Sequence, residues 1–321
     1  MSSNAATPVF FDTDPGIDDV MALLYLVASP AVDLLGVSTV FGNASIEDVT
    51  ANALYVRERL GLNYPVHVGA GVRFDGSTET DYPDFVHGSD GLGDVRGPVA
   101  GTPDSDDAVA ALAAAIRARP GEVVVLAVGR LTNIANLFQQ EPDVVPLLGG
   151  LTLMGGAAGW QGPLGNVSPV AEANIFGDAA AADFVFSHDV DALVVGLDVT
   201  SQIECGRDWY AGVRDRGGAA GELLWEINQA YLAYHRRRYD HDATWLHDGA
   251  AAVAVTHPDL FGVRRGGIRV PAAGPAQGQT IVAPPDGSWG TAEFADLPVH
   301  RICETVDAAA VIRALEERLA S

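Results

Sequence analysis

The sequence predicts an α/β fold: an open, mostly parallel, doubly wound sheet of Rossmann-like type, with extra helices and strands towards the C-terminus. Three features predict it. The first half of the chain alternates short apolar strands with helices, the pattern of parallel βαβ units. Residues 122–128 (EVVVLAV) form an unbroken apolar run, as expected of a strand covered on both faces. The residues richest in chemistry follow directly after strands, where sheets of this kind bind ligands.

Each element has its own signal. Residues 8–13 (PVFFDT) read as a short buried strand, and Pro15-Gly16 turn the chain into a helix over 17–28. A second strand spans 32–41, and a helix spans 45–60 with acidic residues in its first turn, which suits its positive dipole end. A brief strand at 66–69 precedes a long loop, 71–100, rich in Gly, Asp and Pro. Residues 104–119 are an alanine-rich helix ahead of the 122–128 strand. A helix then starts at Leu131, a strand at Leu151, a helix covers 178–187 and a strand 192–197. The second half adds helices near 220–238 and 246–256 and β-rich segments near 262–270 and 279–283. A strand at 298–305 and a helix at 307–319 close it. With no linker-like run and no internal repeat, residues 1–321 are expected to form a single domain.

The composition excludes several function classes. A formal charge of −23 and a pI near 4.4 argue against nucleic-acid or anionic-membrane partners, which need basic patches. All 19 basic residues are arginine, so lysine-dependent chemistry is absent. Cys205 and Cys303 lack zinc-site spacing and make no disulfide framework, which fits a reducing compartment. Residues 1–8 carry neither a basic region nor an apolar stretch, so no export signal is expected, and no apolar run of about 20 residues suggests a membrane span. The expected location is the cytoplasm.

The segment Asp12-Thr13-Asp14-Pro15-Gly16-Ile17-Asp18-Asp19 places four carboxylates within eight residues. Such crowding is unfavourable unless a cation compensates it. The helix dipole contributes only about 0.3–1 kcal/mol per charge. A hard divalent cation, calcium or magnesium, accounts for the cluster better, since no His or Cys stands nearby to favour zinc. Asp18 and Asp19 are successive helical residues whose side chains diverge by about 100°, so one can hold a metal while the other addresses something beside it. An EF-hand fails because the twelfth position from Asp12 is Leu23, not Glu. An aspartyl-phosphate phosphatase would need a lysine. A plain helix N-cap with solvated acids is the remaining alternative.

DTDPGIDD resembles the signature of the inosine–uridine-preferring nucleoside hydrolase family, and further matches follow in chain order. Phe41-Gly42-Asn43 comes after the second strand. His87-Gly88-Ser89-Asp90-Gly91-Leu92-Gly93 is similar to the family's HG-x-x-GL loop, and Leu131-Thr132-Asn133-Ile134-Ala135 to its LTNIA. Residues 165–174 (GNVSPVAEAN) and Leu246-His247-Asp248 complete the set.

The resemblance implies a calcium-dependent hydrolase that splits ribonucleosides into ribose and free base for salvage. It implies Asp14, Asp19 and Asp248 as carboxylate ligands of Ca2+, with the carbonyl of Thr132, leaving positions for two sugar hydroxyls and a water. Asp14 would also be the general base. Asp18, Asn43, Asn166, Glu172 and Asn174 would hold the ribose hydroxyls, and Asp12 would support the loop. His247 is the family-like candidate for protonating the leaving base, with His241 and His87 as rivals. Base recognition would also involve the aromatic and arginine-rich stretch Tyr231 to Tyr239, whose helix would cover the pocket. A homodimer or homotetramer is also implied.

Blander roles stand beside these. Asn43, Asn166 and Asn174 also suit turns or caps, Glu172 a surface acid, Thr132 and Asp248 helix caps, and each histidine ordinary packing. Arg130, Ala173 and Gly249 depart from the family's usual proline, aromatic residue and proline, which bears on the base accepted and not on the chemistry. The competing functions are a metal-assisted hydrolase of another ribosyl compound and a non-catalytic nucleoside-binding protein.

Overall fold

Residues Thr7–Thr13 (TPVFFDT) form β1, whose side chains alternate between two cores: Val9 and Phe11 face one, Phe10 the other. The computed structural model describes residues 6–285, 287 and 291–320. Residues 1–5, part of the stretch expected to lack an export signal, lie outside the described residues.

The later strands are β2 (Val32–Thr39), β3 (Val66–Val68), β4 (Val124–Ala127), β5 (Gly150–Met154), β6 (Ala192–Val195), β7 (Glu204–Gly206), β8 (Ala243–Trp245), β9 (Phe261–Arg269), β10 (Ile281–Ala283) and β11 (His300–Val306). The nine-stranded sheet runs β10-β9-β11-β6-β5-β4-β1-β2-β3. Its pairings from β3 across to β11 are parallel, and β9 runs antiparallel to β10 and β11. Helices cover both faces, which is why β4 and β6 read as unbroken apolar runs.

The chain builds outward from β1 to β3, then returns to β4 on the other side of β1. Strand order therefore reverses between β1 and β4, and the loops leaving their carboxyl ends diverge to open a crevice.

The structure refines several sequence expectations. The second strand stops at Thr39, because Phe41-Gly42-Asn43 leave the sheet for the crevice. The helix expected from 104 begins at Ala108, with Asp107 Oδ1 accepting the Ala110 N–H at 2.9 Å as an N-cap. The long loop contains a helical turn, Asp84–His87. The helix Arg207–Arg216, the short helices Ala173–Gly177 and Leu197–Thr200, and the antiparallel pair β7–β8 were not predicted. Except for Arg207–Arg216, these are three to five residues long, too short to show a period.

The helix His247–Thr256 is buried from His247 to Ala254 and touches the helices Ile17–Ala28 and Ala308–Leu319. Its run of Gly and Ala lets neighbouring backbone approach; enlarging one of these residues would cost about 1–3 kcal/mol in strain. No helix of the described residues is long and apolar enough to cross a membrane.

Candidate active site

The carboxyl end of β1 delivers an acidic centre whose geometry is held by backbone and amide donors. Gly16 caps the helix Ile17–Ala28, and its N–H donates to Asp19 Oδ2 at 2.9 Å. Thr13 Oγ1 donates to Asp19 Oδ1 at 2.5 Å. Asn43, brought in behind β2, donates its backbone N–H to Asp14 Oδ2 at 2.8 Å and its amide to Asp19 Oδ2 at 2.8 Å. Glycines make room: a Cβ on Gly42 would lie 2.0 Å from Asp14 Oδ2, and one on Gly129, after β4, 2.6 Å from Asp14 Oδ1. From the far end of the chain, Asp248 joins at the second position of its helix. Carboxylate oxygens of Asp18, Asp19 and Asp248 lie within 4.8 Å of one another.

These acids are buried, and the burial shows in their proton affinities. Burial above all, then the Asp19 charge, holds Asp14 well above the usual carboxylate range, with Arg130 and the Asn43 N–H partly offsetting it. Burial and Asp19 push Asp18 up to about 7. Burial, then Asp18, Asp19 and Asp14, raise Asp248 well above its ordinary value. Added positive charge would therefore favour full ionisation of the cluster. Asp14 Oδ1 is a buried acceptor with no hydrogen-bond partner among the described residues. An all-oxygen donor set with an orphaned carboxylate oxygen fits a hard divalent cation.

Beside the centre opens a cavity of about 830 Å³, on whose wall stand Asp18, Asn43, His87, Asn166, Glu172, Asn174, His247 and Asp248. Asp14, Asp19 and Thr132 are buried and do not reach its wall. Thr132 does not cap its helix: Leu131 is the N-cap residue, and the Thr132 hydroxyl donates to Asp178 at 2.7 Å. Asp248 caps nothing either; it follows His247, the first residue of their helix. Asp12 lies under the floor, accepting from Ser38 Oγ at 2.5 Å and Asn133 Nδ2 at 2.7 Å, and burial pushes it up to about 7.

Glu172 is no surface acid. It is buried and accepts N–H groups of Gly156 and Asn174 at 2.9 Å and of Ile175 at 3.1 Å, capping the helix Ala173–Gly177. Asn174 donates to the carbonyls of Val128 at 2.7 Å and Met154 at 3.1 Å, tying the carboxyl ends of β4 and β5. Asn166, at the exposed mouth, accepts the Ala173 N–H at 3.0 Å. Asp198, absent from the sequence reading, gathers N–H groups of Ala158, Trp160 and Gln161 and so sets the wall loop that carries Gln161.

Three histidines face the cavity: His87, His235 and His247. His241 is not on its wall; it stands 3.3 Å from Glu204 and stacks on Trp245, two residues that are. Thr200 Oγ1 holds His247 Nδ1 at 2.8 Å, leaving Nε2 free to serve a ligand. Burial, then His235 and His87, push His247 down to about 3, and burial pushes His87 to about 4, so both are neutral at neutral pH. The sequence reading gave base recognition to the stretch Tyr231 to Tyr239 without singling out His235. Its signal was spacing: Tyr231, His235 and Tyr239 recur every four residues on one face of the helix Gly218–Tyr239. Tyr231 stacks on His87 at 6.0 Å and 28°. Behind the floor, buried Arg130 pairs with Glu79 at 3.1 Å and lies 4.4 Å over the Phe41 ring.

Residues 9–313 match the model of a family described as inosine-uridine preferring nucleoside hydrolase. The chain is 37% identical over 314 residues to the probable uridine nucleosidase 2 of Arabidopsis thaliana, covering 97% of each chain. It is 34% identical over 275 residues to the pyrimidine-specific ribonucleoside hydrolase RihB of Escherichia coli, covering 85% of this chain and 86% of that one. Among solved structures, a plant nucleoside hydrolase, the PpNRh1 enzyme, superposes with a TM-score of 0.94 at 34% identity, covering 98% and 99% of the two chains.

Proposed function

Since the chain belongs to the inosine–uridine-preferring nucleoside hydrolase family and is an enzyme that hydrolyses ribonucleosides, we propose that it does so with calcium, taking uridine among its substrates. The products are ribose and the free base, the base passing to salvage in the cytoplasm. The active form is a homodimer or homotetramer, built from single-domain chains spanning 1–321.

The observation that carries this reading is the convergence of Asp18 and Asp19 with Asp248, from opposite ends of the chain, to within 4.8 Å. Asp14, Asp19, Asp248 and the Thr132 carbonyl would hold the ion. When bound, it offsets the buried negative charge and makes a water more acidic. The choice of uridine rests on the names of the relatives, two of which are named for uridine or pyrimidine ribonucleosides.

The remaining work falls to the chain's own groups. Asp14 Oδ2 is held by the Asn43 N–H while Oδ1 has no partner among the described residues, so Oδ1 takes the proton from the attacking water. Asp18, Asn43, Asn166, Glu172 and Asn174 hold the ribose hydroxyls, amides and carboxylates together matching groups that both donate and accept. Positive charge developing on the sugar meets a wall of fixed carboxylates, which stabilises it. His247, kept neutral by burial, offers Nε2 to the departing base, as does His87 from the opposite helical turn. A neutral imidazole polarises the base through a hydrogen bond that strengthens as charge builds there.

The test is ribose release from uridine, inosine, cytidine and adenosine by chelator-stripped protein with calcium added back. Uridine cleavage that stops on chelation, returns with calcium and fails with 2′-deoxyuridine is expected. Binding without turnover, or turnover indifferent to chelator, sinks the reading.

A further inference from the structure

We propose that Glu79 is a positioning residue: through the buried Arg130, its carboxylate ties the loop that delivers His87 to the turn behind the acidic centre. The inference rests on the ribohydrolase reading above and deepens it, by naming what fixes one of its polarising groups in place.

Arg130 directly follows Gly129, the glycine that abuts Asp14 Oδ1. A Cβ on Gly177 would lie 2.4 Å from Arg130 Nε, so the side chain runs through a gap that glycine leaves open. Arg130 is only 8% exposed, and its one hydrogen-bond acceptor among the described residues is Glu79 Oε2 at 3.1 Å. A guanidinium shut away from water needs a charged partner, and here the loop supplies it. Glu79 also accepts from Arg73 Nη2 at 2.5 Å and from the N–H groups of Thr80 at 3.1 Å and Asp81 at 3.4 Å. Against the burial that would raise it, Arg130 and Arg73 hold the Glu79 carboxyl below its ordinary range, so the clamp is ionic at neutral pH.

Two further bonds fasten the same end of the loop. Arg73 Nε donates to the Gly177 carbonyl at 2.9 Å, and the Phe74 N–H donates to Asp178 Oδ2 at 2.8 Å. That Asp178 oxygen also accepts the Thr132 hydroxyl at 2.7 Å. Residues 73–79 are thus tied to both neighbours of Leu131: to Arg130 by Glu79, and to Thr132 by way of Asp178. Soon after, the chain enters the turn Asp84–His87, where Phe85, Val86 and His87 stand on the cavity wall. The turn's own hold is weak. His87 Nδ1 accepts the Ile17 N–H at a long 3.4 Å, and Phe85 is 70% exposed. Beyond the turn, Asn52 bonds the Asp90 carbonyl at 2.8 Å and Asp48 pairs with Arg96 at 2.7 Å. The loop is therefore held at two ends, and the Glu79 clamp is the end nearer the acidic centre. A displacement of about 1 Å at a polarising group can cost about 100-fold in rate.

The experiment compares Glu79→Ala and Glu79→Gln with wild type on uridine, inosine and 4-nitrophenyl β-D-ribofuranoside. The last needs no help from His87, because nitrophenolate leaves unaided. Glu79→Ala should lower kcat/KM for the nucleosides roughly 10- to 100-fold, while the nitrophenyl riboside changes less than about threefold. Glu79→Gln, which keeps an oxygen for Arg130 to donate to, should recover part of the loss. Trypsin should also cut after Arg73 faster in Glu79→Ala than in wild type, since the clamp that occupies its guanidinium is gone. Equal loss on all three substrates, as general damage to the fold would give, or no loss on the nucleosides, overturns the proposal. A wild type that cleaves none of the three overturns the ribohydrolase reading instead. Cleavage after Arg73, faster in Glu79→Ala or unchanged, would then decide by itself whether Glu79 holds the loop.

Discussion

Asp14 has two unequal oxygens: Oδ2 is fastened by the Asn43 N–H at 2.8 Å, and Oδ1, beside Gly129, has no partner among the described residues. That asymmetry suits a base, since the held oxygen fixes the direction in which the other accepts. Asp14→Asn keeps the size and the Oδ accepting from Asn43 but removes the basic site. It is expected to lower kcat by about 10²- to 10⁴-fold, with a thermal melting point within a few degrees of wild type. A kcat within about threefold of wild type would show that the proton goes elsewhere. The acidic motif, the asparagines and His247 were legible because each follows a strand or opens a helix in a recognisable string. His235 was not. It lies in mid-helix among tyrosines and arginines, where the four-residue spacing from Tyr231 to Tyr239 marks a shared face but not that this face meets the cavity.

Short elements, more than long ones, shape the site. The helix Ala173–Gly177 is five residues long and is held at its start by one carboxylate that accepts three N–H groups. Glu172→Gln leaves one accepting oxygen and turns an NH2 group towards N–H donors. The expected outcome is a stability loss of about 1–3 kcal/mol, seen as a lower melting temperature, together with a KM for uridine raised at least about tenfold. A raised KM with no change in melting would mean that Glu172 binds sugar without organising its helix. The sequence showed the long elements well: 17–28, for instance, matches the helix Ile17–Ala28 at both ends. It could not show β7 and β8, three residues each, which pair only because distant segments meet. That pairing explains His241. The residue belongs to the turn before β8 and faces Glu204 on β7 from behind the cavity wall.

At the scale of the molecule, the buried acids set how stability responds to pH. Asp12 and Asp18 titrate near 7 when folded, against an ordinary 3.8, so between those values the folded chain holds protons that the unfolded chain has lost. Stability from these groups therefore falls as pH rises through that window. His87 and His235, near 4, and His247, near 3, act oppositely below their ordinary 6.5, where only the unfolded chain protonates them. Above 6.5 the histidines drop out and the carboxylates remain. Chelator-stripped protein should thus lose melting temperature between about pH 6.5 and 8, while saturating calcium, present at about 100 times its Kd, restores about 2.7 kcal/mol. A flat profile without metal would show that the acids ionise freely. The join between Asp19 and Asp248 has a consequence for biosynthesis. Asp248 rides on a helix enclosed on all sides, which cannot settle until the sheet and its neighbours are in place. A nascent chain halted anywhere before residue 256 would own most of the ligands and grip no ion. Cation uptake would then be a late event in maturation, and a radioactive calcium tracer on stalled ribosomes would report when the last helix docks.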